Sequence, residues 1–205
     1  MSVTIAAIRR TASEHVTVVL EDGREIPSTL GSLAEMRLFD GKTLDGEELS
    51  RLISSSALAL AREKALVLLS YRPMSAKELR DKLVQKDVAP DRAAAAVEWL
   101  QDQRLLDDAR YAEMVVRHYS GKGYGEGRIR SELSRRGVPR ELWDEALEQM
   151  SDQDDALQRF IASRLKDPDD RAQVQKVSAA LLRRGYPWEE VRTALARFRA
   201  ELDEG

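Results

Sequence analysis

The 205-residue chain contains no cysteine, an absence that removes disulfide frameworks, thiolate zinc sites and thiol nucleophiles together. Aromatic residues are scarce, at 5% of the chain, which leaves few candidates for the row of stacking rings that single-strand nucleic-acid binders use. The two histidines, His15 and His118, lie far apart in sequence, and no H-E-x-x-H pattern sets a metal pair on one helix face. Long apolar runs are missing too. None approaches the roughly 18 to 20 residues that a membrane span requires, and Met1 to Arg10 lacks the charged start and apolar core of a secretory signal. The expectation is a cytoplasmic chain with no membrane contact, no metal and no other cofactor.

What is present is a core-forming 42% of hydrophobic residues and a wet surface, with 34% charged residues. The net charge of -3 conceals a local dipole. Arg117 to Arg140 carries seven Lys/Arg and two Glu, whereas Glu141 to Asp155 carries seven acids and no base. Such a face steers toward nucleic acid or an acidic protein, although a charge run is more often a solvated helix face.

The first forty-odd residues alternate as strands do, with Val3, Ile5 and Ile8 in one stretch and Val16 to Val19 in another. Asp22-Gly23 tolerates positive φ at both central turn positions, so Val16 to Leu20 and Arg24 to Pro27 are expected to form a hairpin beside Val3 to Ile8. Asp45 is placed to cap a short helix through Ile53, with Glu47 and Glu48 complementing its dipole, and the serines at 54–56 mark a boundary.

From Ala57 onward, apolar residues recur every three or four positions, broken by prolines and glycines. Within this texture lies a repeat of about fifty residues. Leu83, Leu133 and Leu181 align, followed by Val88, Val138 and Tyr186, then Ala93, Trp143 and Val191. Farther on, Val97, Leu147 and Leu195 align, as do Leu100, Met150 and Phe198. The offsets put each set on one helical face, so each copy holds a helix pair. Its hinge reads Arg136-Gly137-Val138-Pro139 in the second copy and Arg184-Gly185-Tyr186-Pro187 in the third, suiting a left-handed glycine and a proline start. The first copy has Asp87 at the glycine position and Pro90 displaced by one residue. A further helical stretch precedes each pair, around residues 63–69, 111–119 and 156–165.

The fold class expected is mainly α, with tandem three-helix repeats in an elongated curved array preceded by a small β-rich N-terminal module. The divisions are 1–56 for that module, ending in its short helix, then 57–108, 109–150 and 151–205 for the repeats.

The order and spacing of Leu79, Leu83, Trp99-Leu100, Leu106-Asp107-Asp108, Tyr111-Ala112, Gly121, Gly123, Arg128-Ile129, Leu133 and Gly137-Val138 resemble the RecX family of bacterial recombination regulators. The resemblance runs from Ala61 to Phe198. It implies a non-enzymatic protein that binds the RecA recombinase filament within its helical groove and limits strand exchange, ATP turnover or filament growth. It also implies a monomer whose contact with single- or double-stranded DNA is at most weak.

Several motifs that suggest chemistry have plainer readings. Gly121 to Gly127 looks like a phosphate loop, but the third glycine of G-x-G-x-x-G is Glu126 and the preceding segment reads as helix, so a structural linker is expected. Gly41-Lys42-Thr43 lacks the first P-loop glycine, because Met36 stands there. Asp107-Asp108 offers two carboxylates, either of which suits a cap for the helix beginning near Tyr111 better than a metal site. Trp143 reads as core, and Trp188 as cover for a helix start.

The candidate partner-binding residues are Lys122, Arg128, Arg130, Arg135 and Arg136, with Arg183 and Arg184 repeating the doublet in the third copy. The arginine fork pairs with carboxylate or phosphate alike, and it also complements a helix C-terminus; both readings stand. The alternative function is a helix-turn-helix-like DNA-binding protein that acts without a recombinase.

Overall fold

The computed structural model describes residues 2–12, 14–150 and 153–203, which divide into two compact units. The first comprises the described residues up to Pro73 together with Glu78–Leu106, and the second comprises Met74–Lys77 together with those from Asp107 onward. Ser151, the expected start of the third repeat, and Asp152 lie outside the described residues.

The first unit opens with strands β1 (Val3–Arg10), β2 (His15–Leu20) and β3 (Glu25–Thr29), then helix α1 (Leu30–Met36) and the short strand β4 (Thr43–Leu44). They form one antiparallel sheet in the order β3-β2-β1-β4. Period-two alternation turns Ile5, Val16, Val18, Leu20 and Ile26 to one face, where they cluster with Leu44 of β4 and with the helical Leu33 and Leu52. The hairpin forms as its Asp-Gly turn leads one to expect, but only Gly23 takes a positive φ, of 86°. Asp22 instead accepts the Arg24 N–H at 3.1 Å and pairs with its guanidinium at 2.6 Å.

Helix α2 (Gly46–Tyr71) departs from the expected plan. Asp45 caps it, and Glu48 completes a capping box by accepting the Asp45 N–H at 3.2 Å. The helix then runs unbroken through the serines at 54–56, so the expected short helix does not end there. Ser56 is buried rather than looped out, its hydroxyl 2.7 Å from that of Ser28 on β3. Serine costs a helix little when its hydroxyl finds a partner, and neither glycine nor proline interrupts this stretch. One helix therefore serves twice. Its first half covers the sheet through Leu52, and its second half, with Ala61 and Ala65 buried, packs on α4. Helices α3 (Ala76–Gln85) and α4 (Pro90–Asp102) complete the first triplet, with the Arg62 guanidinium 4.7 Å above the Trp99 ring.

The second unit holds α5 (Asp108–Ser120), α6 (Glu126–Arg135), a single 3-10 turn at Arg140–Leu142 running into α7 (Trp143–Leu147), then α8 (Gln153–Arg164), α9 (Arg171–Arg183) and α10 (Trp188–Asp203). These are the second and third helix triplets. The first aligned positions are interior: Leu83, Leu133 and Leu181 are fully buried, Val88, Val138 and Tyr186 are buried after them, and Leu147, Met150, Leu195 and Phe198 farther on are partly buried against the core. Trp143 is core, its indole N–H donating to the Val138 carbonyl at 3.0 Å.

All three hinges share the left-handed conformation, with φ of 62° at Asp87, 69° at Gly137 and 90° at Gly185. Crowding explains why the first dispenses with glycine. A Cβ at Gly137 would lie 2.7 Å from Cδ of Lys77, and one at Gly185 would lie 2.7 Å from Cβ of Arg128. Asp87 is exposed to solvent, where an aspartate tolerates positive φ.

Candidate partner-binding surface

The seven basic candidates all fall in the second unit, and their environments divide them. Lys122, after α5, and Arg183, in the last turn of α9, are exposed, and no described residue forms an ion pair with either. Arg135 is two-thirds exposed and Arg128 about half. Arg130 is held at both ends, 2.5 Å from Glu126 and 2.9 Å from Asp144. Arg136 and Arg184 turn inward. The doublets thus share a pattern, in which the first arginine faces solvent and the second serves the fold.

Arg136 donates to the Tyr111 hydroxyl at 2.9 Å and the Tyr119 hydroxyl at 3.4 Å, with its guanidinium carbon 5.8 Å from the Tyr119 ring centre. Beside it sits Glu132, whose side chain is only 5% exposed, an unusual site for a carboxylate unless it is paired. Arg135 contacts it at 2.6 Å, Arg128 at 3.1 Å and Arg136 at 3.6 Å. Burial alone would raise the Glu132 pKa. The Arg135 hydrogen bond and the charges of Arg135 and Arg128 outweigh it and hold the carboxyl below its ordinary range.

Arg184 is engaged still more fully. Nη1 donates to the carbonyls of Gly123 at 3.0 Å and Lys122 at 3.3 Å, and the guanidinium carbon lies 4.6 Å from the ring centre of Phe160 and 5.4 Å from that of Tyr124. The glycine-rich connection from Gly121 to Gly127 is therefore a structural element, as its sequence context implies. Two of its amides are committed to the α9–α10 hinge, Gly125 N–H donating to the Arg184 carbonyl at 2.9 Å and Gly127 N–H to the Gly185 carbonyl at 3.0 Å, while those of residues 121 to 124 donate to carbonyls of α5.

Asp107 and Asp108 have separate roles. Asp107 is the cap of α5, accepting the Arg110 N–H at 3.0 Å. Asp108 accepts the N–H of Ala76, the first residue of α3, at 2.8 Å, so it does not cap the helix that it begins. Burial, the larger effect, and the neighbouring Asp107 charge push its pKa up against the Ala76 hydrogen bond. A raised carboxyl pKa means that stability from this group is present at low pH and falls as pH rises through the folded value. Asp107→Ala is therefore expected to lower stability by about 1 kcal/mol. Asp108→Asn, which keeps an acceptor for Ala76 and removes the charge, should equal or exceed the unsubstituted chain at neutral pH; urea melts of both variants measure this.

Elsewhere, Lys42 reaches back to the Met36 carbonyl at 3.1 Å, as suits a turn, and His15 bridges β2 to Glu63 of α2 at 2.5 Å. His118 is exposed, its ring edge-on to Tyr119. Trp188 is half exposed beside a groove of about 710 Å³ that is lined by Val174, Leu182, Arg171 and Arg199.

Residues 61–100 match the first three-helix domain of RecX, residues 107–147 the second and residues 152–195 the third. The chain belongs to the RecX family. The regulatory protein RecX of Chromohalobacter salexigens is 37% identical over 147 residues, spanning 69% of this chain and 95% of that one. The regulatory protein RecX of Xanthomonas axonopodis pv. citri is 38% identical over 142 residues, spanning 68% of this chain and 87% of that one. A crystal structure of a regulatory protein RecX superposes with a TM-score of 0.72 at 23% identity, over 94% of this chain and 98% of that one, so its fold extends to the strand module. The first RecX domain begins within α2, which accords with a helix shared between that module and the first triplet.

Proposed function

We propose that this RecX chain is a non-enzymatic, cytoplasmic regulator that binds the RecA nucleoprotein filament and restrains its ATP turnover and strand exchange. Membership of a family of regulatory proteins supports the coarse role. The observation that carries the finer one is the division of the basic residues. The fold uses Arg130, Arg136 and Arg184 for itself, while Lys122, Arg128, Arg135 and Arg183 present cationic heads to solvent. Lys122 and Arg183, with which no described residue forms an ion pair, are the cations most available to an acidic partner, whereas Arg128 and Arg135 share their exposed heads with Glu132; surface contributions of this kind are salt-sensitive. No helix among the described residues is long and apolar enough to cross a membrane.

The test is equilibrium binding of the double variant Lys122→Glu, Arg183→Glu, the two candidates with which no described residue forms an ion pair, to RecA filaments on single-stranded DNA, with bare DNA in parallel. Loss of filament affinity by at least about tenfold with an unchanged melting curve is expected, since each rim charge contributes modestly. Full affinity in the folded variant would contradict the reading. Strong, salt-dependent binding of the unsubstituted chain to bare DNA, equal to that on the filament, would instead favour a DNA-binding protein acting without a recombinase.

A further inference from the structure

The second and third helix triplets meet backbone to backbone. The connection at 121–128 and the hinge at 184–186 approach so closely that a Cβ on Gly125 would lie 2.7 Å from the Gly185 carbonyl group. Gly125 and Gly127 each spend their amide on this contact, at 2.9 and 3.0 Å. The Arg184 guanidinium then fastens the outer part of the connection through the Lys122 and Gly123 carbonyls. A segment with glycine at 121, 123, 125 and 127 has a large conformational entropy, so something must fix it for its side chains to hold a constant geometry. Its start hangs from the end of α5, where the amides of Lys122 and Tyr124 donate to the Tyr119 carbonyl at 3.1 Å and that of Gly123 to the Ser120 carbonyl at 2.8 Å, and Arg184 holds the carbonyls of the same residues, Lys122 and Gly123, from the third triplet.

We infer that Arg184 is a positioning residue for partner binding: it ties the Gly121–Gly127 connection to the third triplet, so that Lys122 is presented together with Arg183. This rests on the functional reading above and adds the role of the third triplet. That triplet contributes Arg183 directly and, through Arg184, positions Lys122, which belongs to the connection between α5 and α6. Arg184 itself is largely withdrawn from a partner, because its Nη1 is spent on two carbonyls and its guanidinium lies against the rings of Phe160 and Tyr124. Preorganisation of this kind strengthens binding by removing the cost of ordering the loop on contact.

A direct contact and a positioning role separate cleanly under a conservative change. Arg184→Lys keeps the charge but loses the planar guanidinium that lies against two rings while its Nη1 reaches two carbonyls. If Arg184 positions the connection, Arg184→Lys and Arg184→Gln each weaken filament binding by on the order of tenfold. The double variant Lys122→Gln, Arg184→Gln then loses less than the product of the two single losses, because the group being positioned is already gone. Full affinity in Arg184→Lys, or losses that multiply, would overturn the inference. A second measurement needs no partner: amide hydrogen exchange at Gly125 and Gly127 should be slow in the unsubstituted chain and accelerated in Arg184→Gln, while the core amide of Leu133 stays protected in both. Fast exchange at the two glycines of the unsubstituted chain would also overturn it. A chain that binds no filament at all would end the functional reading and the binding role with it, while the exchange pair still decides whether Arg184 orders the connection.

Discussion

Gly185→Ala is expected to lower the stability of the second unit by about 2 to 5 kcal/mol, the sum of a left-handed alanine, roughly 1–2, and an overpacked contact, roughly 1–3. The position combines both penalties. Its φ is 90°, and a Cβ there would overlap the backbone nitrogen of Arg128 and crowd Arg128 Cβ at 2.7 Å. A backbone neighbour cannot rotate aside as a side chain does, so relief requires pulling the α9–α10 hinge off α6 and breaking the Gly127 hydrogen bond. Gly41→Ala is the control: φ is 85° there, yet nothing lies within 4 Å, so only the conformational penalty of roughly 1 kcal/mol applies. Thermal melts should separate the two by several degrees; equal melting temperatures would show that the hinge yields without cost.

The second large effect is at Glu132. Glu132→Gln should destabilise the fold toward the lower end of the roughly 3 to 5 kcal/mol seen when one member of a buried ion pair is removed, because only Arg136 among its partners is itself largely buried. The pH dependence has a definite sign. The folded carboxyl titrates below its unfolded value, so its stabilisation is fully present above the unfolded range, near about 4.3, and is lost as pH falls through the lowered folded value. Unfolding free energies measured between pH 3 and 7 should fall steeply at the acid end in the unsubstituted chain and less steeply in Glu132→Gln. Parallel curves would mean that Glu132 carries no net stabilisation.

Much of this fold is legible in the sequence because helical periodicity and hinge chemistry are local. Leu83, Leu133 and Leu181 occupy the same interior position in three triplets, and Gly137 and Gly185 stand where the backbone turns left-handed. The serines at 54–56 mislead because loop composition and a helix with buried hydroxyl partners look alike until Ser28 is seen opposite Ser56. Asp107 and Asp108 are indistinguishable in sequence, and only the fold delivers the Ala76 N–H to the second of them.

The candidate surface was legible in type but not in assignment. Glu132 was readable in principle, since Arg128, Arg135 and Arg136 stand three or four residues from it on one helix face. Tyr111 and Tyr119 around Arg136, and Phe160 and Tyr124 around Arg184, are brought by tertiary packing, which no spacing rule supplies. For that reason two arginines of identical local sequence diverge, with Arg183 in solvent and Arg184 tied into the fold.

The most direct test of the regulatory role is ATP hydrolysis by RecA on single-stranded DNA as this chain is titrated in. A progressive fall in turnover at amounts below one chain per recombinase subunit, without matching affinity for bare DNA, is the predicted result. Turnover that stays constant at saturating chain, or falls only in proportion to DNA sequestered, would contradict it.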